Sequence, residues 1–159
     1  MSPTDSKRSS TARLWLVTFL IFVVVPGALI GIATAPGEWY AGLVKPDILP
    51  PDWVFPFVWM VLYVLIAISG WLTFIGDPDS PAMWAWIVQL ALNWLWAPVF
   101  FGLKLIVPAV VVISAMLAAI IMFMIRASRV DRRASLIFVP YAVWVVFALF
   151  LNARIAMLN

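Results

Sequence analysis

The sequence contains no cysteine and no histidine among its 159 residues. Without cysteine the chain can form no disulfide and can perform no thiolate chemistry. Without histidine it lacks the commonest metal ligand and the usual general base at neutral pH. Charged residues are scarce as well, at 11% of the chain. These absences argue against the enzyme classes that depend on such side chains, and they leave aromatic and amide groups to carry the function.

Hydrophobic residues dominate instead, at 66% of the chain. The charged residues fall in short clusters, and five uncharged stretches separate them: 14–37, 53–76, 80–103, 105–125 and 134–153. About 20 apolar residues in a helix cross the hydrocarbon core of a bilayer, which is about 30 Å thick. Because backbone amides in lipid must bond within their own segment, spans of this length form helices. The sequence therefore predicts an all-α integral membrane protein, a five-transmembrane-helix bundle.

We expect one transmembrane domain at residues 13–159, preceded by a disordered cytoplasmic tail at residues 1–12. Its expected spans are approximately 14–35, 53–75, 81–103, 105–126 and 134–157. Basic residues favour the cytoplasmic ends of spans. Seven of the ten lie on the amino-terminal side: Lys7, Arg8, Arg13, Arg126, Arg129, Arg132 and Arg133. The prediction is a multi-pass protein of a bacterial cell membrane with its amino terminus in the cytoplasm.

The longest loop, residues 35–52, lies on the opposite side from these basic residues. It contains four prolines: Pro36, Pro46, Pro50 and Pro51. Proline fixes its own φ angle and pushes the preceding residue toward an extended geometry, so the loop should be stiff. Two interpretations are open. The loop could cover a cavity as a lid, or it could be a connector whose Trp39 and Tyr40 lie in the interfacial aromatic belt.

Polar and aromatic side chains recur at helical spacing inside three of the spans. The pairs Trp59 with Tyr63 and Gln89 with Asn93 are four residues apart, as are Trp144, Ala148 and Asn152, so each set shares one helix face. Intramembrane polar groups seldom face lipid, and these stripes should turn toward one another. They could simply hold the helices together through interhelical hydrogen bonds. They could also wall an aromatic cavity in the outer half of the bundle.

The other tryptophans toward the span ends are interpreted as anchors in the aromatic belt: Trp15, Trp71, Trp84, Trp86 and Trp96. Small residues at four-residue spacing, such as Gly27 and Gly31, allow close helix approach. We expect these two glycines to pack within the chain rather than between chains.

Three long motifs carry a resemblance to a known family: WYAGLVKPDILPPDWVFPFVWMVLY, QLALNWLWAPVFFG and VPYAVWVVFALFLN. In this order and spacing they resemble the TspO/MBR family, the tryptophan-rich sensory proteins related to the mitochondrial translocator protein or peripheral benzodiazepine receptor. The resemblance implies a homodimer of five-helix bundles with a cavity under the first loop. That cavity would bind porphyrins such as protoporphyrin IX, haem, sterols, and isoquinoline or benzodiazepine drugs. Positions matching the family pocket are Tyr40, Trp59, Asn93, Trp144 and Ala148, with Trp39 as the motif partner of Tyr40.

Combining the helical stripes with the resemblance gives a predicted set of ligand-binding residues: Trp39, Tyr40, Trp59, Tyr63, Gln89, Asn93, Trp144 and Ala148. A porphyrin presents a large π surface and acidic propionates, which suits indole stacking with an amide or phenol at its edge. No metal site and no required cofactor are expected. Haem is less favoured than metal-free porphyrin, because only Tyr and Met remain among the usual axial ligands of its iron.

Three function classes follow. The first is a membrane receptor or carrier for porphyrins and other lipophilic ligands, acting in tetrapyrrole or stress signalling. The second, by analogy with the family, is an enzyme for light- and oxygen-dependent porphyrin breakdown that uses Trp59 and Trp144. The third is a structural or partner-binding membrane protein. The sequence shows no nucleic-acid-binding signal, so the expected partners are a lipophilic small molecule, the lipid bilayer and a second copy of the chain.

Overall fold

The computed structural model describes the backbone of residues 3–159 and the side chains of residues 10–159. Five long helices and two short ones follow one another along these residues. They are α1 Pro3–Ala33, α2 Glu38–Ala41, α3 Val54–Gly76, α4 Pro81–Ala97, α5 Ile106–Ala127, α6 Arg132–Ile137 and α7 Val139–Leu158. A π-helical turn, Pro98–Gly102, continues α4.

Five helical segments are long and apolar enough to cross a membrane. They are Ser10–Ala33, Val54–Gly76, Pro81–Gly102, Ile106–Ala127 and Arg132–Leu158. Each agrees with a predicted span to within about four residues, so the five-helix membrane fold is confirmed. The agreement arises because charged residues are costly in hydrocarbon and therefore mark the ends of spans.

The amino-terminal segment differs from the expectation of a disordered tail at residues 1–12. In the structure α1 begins at Pro3 and is continuous with the first span, while residues 1 and 2 lie outside the described part. Proline suits the first turn of a helix because its missing N–H would have no intrahelical partner there. Trp71 Nε1 on α3 donates to Ala12 O at 2.9 Å, which fixes the amino-terminal end of the span against α3.

The long helices alternate in direction, and hydrogen bonds between distant residues mark the two ends of the bundle. At one end, Arg126 Nη1 in the last turn of α5 donates to Pro81 O at the start of α4, at 3.3 Å. At the other end, Asn159 after α7 bonds the backbone of Val44 in the first loop. The first loop and the carboxyl terminus therefore share one end, opposite to the basic connection between α5 and α6.

Trp86 packs inside the bundle and does not anchor at the interface, so its assignment to the aromatic belt was wrong. It is buried, its Nε1 donates to Ile66 O at 3.0 Å, and a Cβ on Gly70 would collide with its indole ring. The glycine lets α3 approach α4 closely enough for the indole to fill the gap. A similar contact brings Gly27 of α1 against the ring of Tyr63, which confirms intrachain packing for that glycine.

The π turn shapes the carboxyl-terminal end of α4. Pro98 offers no backbone N–H, and Leu103 N bonds to Pro98 O at 2.8 Å, closing the wider ring of a π turn. Lys104 follows with φ of 60°, which reverses the chain into α5. The turn carries Phe100 and Phe101 toward the first loop, where both contact Tyr40.

Candidate functional site

A cavity of about 720 Å³ lies in the half of the bundle that adjoins the first loop. Its walls come from α1, α3, α4, the π turn and α7. The segment between α1 and α3, residues 34–53, covers it and is called the lid below. Tyr40, Leu49 and Asp52 of the lid line the cavity. The volume lies within the range of about 300–1,000 Å³ typical of small-molecule sites.

Three aromatic rings with nearly parallel planes form one wall of this cavity. Trp59 and Trp96 lie 6.3 Å apart between ring centroids with an interplanar angle of 29°. Trp96 and Phe100 lie 5.8 Å apart with an angle of 20°. All three residues line the cavity. The stacked rings build an aromatic column along the cavity, and an apolar ring ligand can pack against its open faces and edges.

Two interhelical hydrogen bonds brace the polar side of the cavity. Asn93 Nδ2 on α4 donates to Tyr141 Oη on α7 at 2.9 Å. Trp96 Nε1 donates to Asn152 Oδ1 on α7 at 3.0 Å. The polar stripes therefore do hold helices together, as one interpretation of the sequence proposed. Asn93 and Asn152 also line the cavity, so the same stripes form part of its wall.

Lys45 does not extend into the cavity. Its Nζ donates to Ala41 O at 3.0 Å and lies 4.8 Å from the centroid of the Tyr40 ring. Both of these contacts of Lys45 are therefore with other residues of the lid. Asp52 is the charged residue that lines the cavity. An anionic ligand group at the lid would meet this carboxylate unless Lys45 left its present contacts.

Tyr40 connects the lid to the aromatic wall. Its ring contacts Phe101 at 5.3 Å and Phe100 at 6.1 Å between centroids. Burial raises the pKa of the Tyr40 phenol, and the Asp52 carboxylate raises this pKa further. The phenol therefore stays protonated at neutral pH and can donate a hydrogen bond into the cavity.

The cavity brings together five of the eight predicted ligand-binding residues: Tyr40, Trp59, Tyr63, Asn93 and Ala148. The other three, Trp39, Gln89 and Trp144, do not line it. Trp144 packs on Phe55 at 5.8 Å, and Phe55 itself lines the cavity.

Trp39 and Gln89 lie outside the cavity for different reasons. Trp39 packs on the edge of Phe100 at 5.8 Å, on the lid. Gln89 is fully buried one helical turn from Asn93 toward the amino-terminal end of α4. Neither side-chain atom of Gln89 finds a hydrogen-bond partner among the described residues.

Sequence reasoning missed Trp96 as a cavity residue and assigned it to the interface, which was wrong. Trp96 follows Asn93 by three residues and Phe100 follows Trp96 by four, so helical spacing places them on one face. Depth alone had suggested an interfacial position. Asn152 was noted in the stripe of α7 but not selected, although it follows Ala148 by four residues.

The cavity is lined mainly by apolar and aromatic side chains. Within residues 10–159 no group of three His, Cys, Asp or Glu side chains could hold a metal ion. Tyr63 and Met60 line the cavity and carry atoms of the kinds that ligate haem iron. The surrounding surface is otherwise mainly apolar and aromatic.

Fold and cavity together define a class: a multi-pass helical membrane protein with an aromatic-walled cavity beneath a lid. Comparison with known proteins identifies the family. Residues 17–158 match the model of the TspO/MBR family, and the chain belongs to that family.

Similar proteins include members from bacteria and animals. The chain is 36% identical over 143 residues to the tryptophan-rich sensory protein of Cereibacter sphaeroides, covering 89% of this chain and 90% of that protein. It is 35% identical over 133 residues to protein CrtK of Rhodobacter capsulatus, covering 81% and 83% respectively. It is 33% identical over 141 residues to the translocator protein of Homo sapiens, covering 82% and 83%.

Proposed function

We propose that this protein is a membrane receptor or carrier that binds porphyrins, such as protoporphyrin IX, and other lipophilic ligands in the cavity beneath the lid. Its role would lie in tetrapyrrole or stress signalling. The observation that carries the proposal is the near-parallel run of Trp59, Trp96 and Phe100 along a cavity of about 720 Å³. A flat, apolar ligand would stack on this wall, with its polar atoms directed to Asn93 and Tyr63.

The porphyrin's acidic groups constrain its orientation. Asp52 lines the cavity at the lid and would repel an ionised propionate there. The edge of the porphyrin that carries no propionate should therefore point away from the lid and lie beyond Trp59 in the cavity. Each propionate should either reach solvent at the lid or become protonated. Haem would bind by the same contacts, and Tyr63 or Met60 would be available to its iron.

A fluorescence titration tests the proposal. Protoporphyrin IX is added to the protein in lipid nanodiscs, and tryptophan emission is recorded against nanodiscs that contain no protein. Saturable quenching with a stoichiometry near one per chain supports a site. Linear, unsaturated quenching would mean that the porphyrin only partitions into lipid, and the proposal would fail.

One arrangement also favours the enzymatic alternative. Trp59 lines the cavity and lies within 5.8 Å of Tyr63 and 6.4 Å of Tyr141 between ring centroids, so several oxidisable rings adjoin the ligand space. Oxygen would be the oxidant and the excited porphyrin the species oxidised. Illumination of the complex in air tests this. Bleaching faster than that of the same porphyrin in protein-free nanodiscs, and slower in Trp59→Phe with the ligand still bound, would support turnover.

Homodimerisation in a bacterial cell membrane, with the amino terminus in the cytoplasm, is part of the same proposal. Among the small residues, Gly27 packs against Tyr63 and Ala85 is buried within the chain. The surface for a second copy should therefore lie on exposed apolar side chains of α4, such as Trp84 and Val88. Cysteine at Val88 should form an intermolecular disulfide in membranes, whereas cysteine at Val111 on α5 serves as a control.

A further inference from the structure

Asp52 is the one charged side chain among the described residues that line the cavity. It lies near the end of the lid, two residues before α3 begins at Val54, and it is exposed. The carboxylate therefore lies at the mouth of the cavity rather than in its depth. The one ion pair found within residues 10–159 joins Arg133 to Asp131, so Asp52 has no cationic partner among those residues.

Lys45, the basic residue of the lid, is engaged elsewhere. Its Nζ donates to Ala41 O at 3.0 Å and to Leu43 O at 3.4 Å, both within the lid. Neither Lys45 nor the other two basic residues toward this end of the bundle, Lys104 and Arg154, line the cavity. The lid carries one basic residue and three acidic ones, a net charge of −2, and the acidic residues are Glu38, Asp47 and Asp52.

Aromatic rings that can attract a cation lie beside this carboxylate. Tyr40 and Trp59 line the cavity, and the Tyr40 ring already has Lys45 Nζ at 4.8 Å from its centroid. Burial raises the pKa of the Tyr40 phenol most, and the Asp52 carboxylate raises it further, so the carboxylate acts on Tyr40 through space. A cation within about 6 Å of a Trp or Tyr ring is attracted by the ring's quadrupole. A ligand ammonium at the mouth would meet both favourable groups, whereas a ligand carboxylate would meet a like charge.

We infer that Asp52 sets the charge preference of the cavity, which selects flat lipophilic ligands that carry an ammonium group at the edge facing the lid. The inference rests on the proposed function, since it names a ligand class for the same cavity. The ring system of such a ligand packs against the aromatic column inside, and its ammonium group lies at the mouth beside Asp52. Burial of the rings supplies most of the affinity, and charge decides between ligands of equal shape. Because Asp52 is exposed, water screens the interaction and the preference is modest.

The test uses three fluorescent probes that share one flat ring system and differ in charge: 1-pyrenemethylamine, 1-pyrenemethanol and 1-pyrenecarboxylic acid. At neutral pH they are cationic, neutral and anionic. Affinities are measured by tryptophan-sensitised pyrene emission with the full chain in nanodiscs of zwitterionic lipid, and partitioning into lipid is subtracted with protein-free discs. We expect the amine to bind about threefold more tightly than the alcohol and about tenfold more tightly than the acid. High salt should reduce both ratios, because ions screen exposed charges.

Substitution of Asp52 should change the affinities of the charged probes in opposite directions. Asp52→Asn should weaken the amine about threefold, strengthen the acid about threefold and leave the alcohol unchanged, and Asp52→Lys should reverse the order of amine and acid. A disturbed fold would weaken all three probes instead, so the opposite changes identify an effect of charge. Asp47→Asn is the matched control, since it removes the same charge from an exposed position of the lid that does not line the cavity. It should leave the ratios close to those of the unmodified protein.

The outcomes are distinguishable from those for the proposed function. Equal affinities of the three probes for the unmodified protein, or no saturable binding of any probe, would overturn the inference without relying on a variant. Equal effects of Asp52→Asn and Asp47→Asn would also overturn it, because the preference would then belong to the lid as a whole. If protoporphyrin IX binds saturably while the probes show no preference, the cavity is a porphyrin site and the role of Asp52 is wrong. If the preference is present while protoporphyrin IX fails to bind, the role of Asp52 stands and the porphyrin proposal falls.

Discussion

The side chain of Asn159 pairs with the backbone of Val44 in the lid. Its Nδ2 donates to Val44 O at 3.0 Å, and Val44 N donates to its Oδ1 at 3.0 Å. The same Nδ2 also donates to Ile155 O at 2.9 Å, which ties the asparagine to α7. Ile155 lines the cavity. One side chain thus joins the lid to a helix of the cavity wall.

Replacing Asn159 by alanine should loosen the lid. An intramolecular hydrogen bond contributes about 0.5–1.5 kcal/mol net, and these bonds are exposed. A loss of roughly 1 kcal/mol would raise the rate of ligand dissociation about fivefold. Stopped-flow release of bound porphyrin measures this rate. Asn159→Asp keeps the acceptor for Val44 N and loses the donor, so its rate should be intermediate, and identical rates in all three proteins would contradict a role for this contact.

Trp59 and Trp144 should differ in their effect on ligand binding, although the sequence grouped them together. Trp59 lines the cavity, whereas Trp144 packs behind Phe55. Trp59→Ala should weaken porphyrin binding by about 1 to 3 kcal/mol, the range known for aromatic stacking on nucleic-acid bases. Trp144→Ala should cost less, and Trp71→Ala, at the end of α3 away from the cavity, should cost least. Equal losses at the three positions in a titration would indicate general destabilisation instead of a site.

The ionisation of Tyr40 should depend on Asp52. Burial raises the pKa of Tyr40, and Asp52 raises it further, so the closed lid favours the neutral phenol. That contribution to lid packing is fully present below the ordinary tyrosine pKa of about 10 and is lost as pH rises through the raised value. Asp52→Asn should lower the Tyr40 pKa without returning it to the ordinary value. Tyrosinate absorbance in a pH titration reports it, with Tyr40→Phe identifying the transition, and an unchanged pKa would mean that the two groups do not interact.

The direction of insertion follows from the distribution of basic residues. Cysteine introduced at Ser128, beside the arginines that follow α5, should be protected from an impermeant thiol reagent in intact cells. Cysteine at Gly42 in the lid should react, and a Cβ there meets only ordinary contacts. The chain has no cysteine of its own, so labelling is specific. Reaction at Ser128 with protection at Gly42 would reverse the proposed orientation.

The spans could be predicted from the sequence because one physical rule, the cost of charge in hydrocarbon, marks their ends. The cavity residues were harder to predict. Helical spacing shows which residues share one face of a helix, but it does not show which other helix packs against that face. Asn93 and Gln89 share a face of α4, yet only Asn93 reaches the cavity. Trp96 was assigned to the membrane interface from its position along the span. That position does not reveal the π turn, which places Phe100 against Trp96 in the cavity wall. The pairing of Trp96 with Asn152 depends on two helices 56 residues apart in sequence and leaves no local pattern.

Binding to a cavity-filled variant tests the central claim most directly. A Cβ on Gly31 would meet no atom within 4 Å, and Gly31 lines the cavity, so Gly31→Leu should occupy ligand space without a clash. Leucine is also a better helix former than glycine by about 0.8 kcal/mol or less, so thermal stability should not fall. Gly102→Leu is the matched control, since Gly102 also has open space around it but lies outside the cavity. The account predicts that protoporphyrin affinity falls at least tenfold in Gly31→Leu and is unchanged in Gly102→Leu, whereas unimpaired binding to a folded Gly31→Leu protein would contradict it.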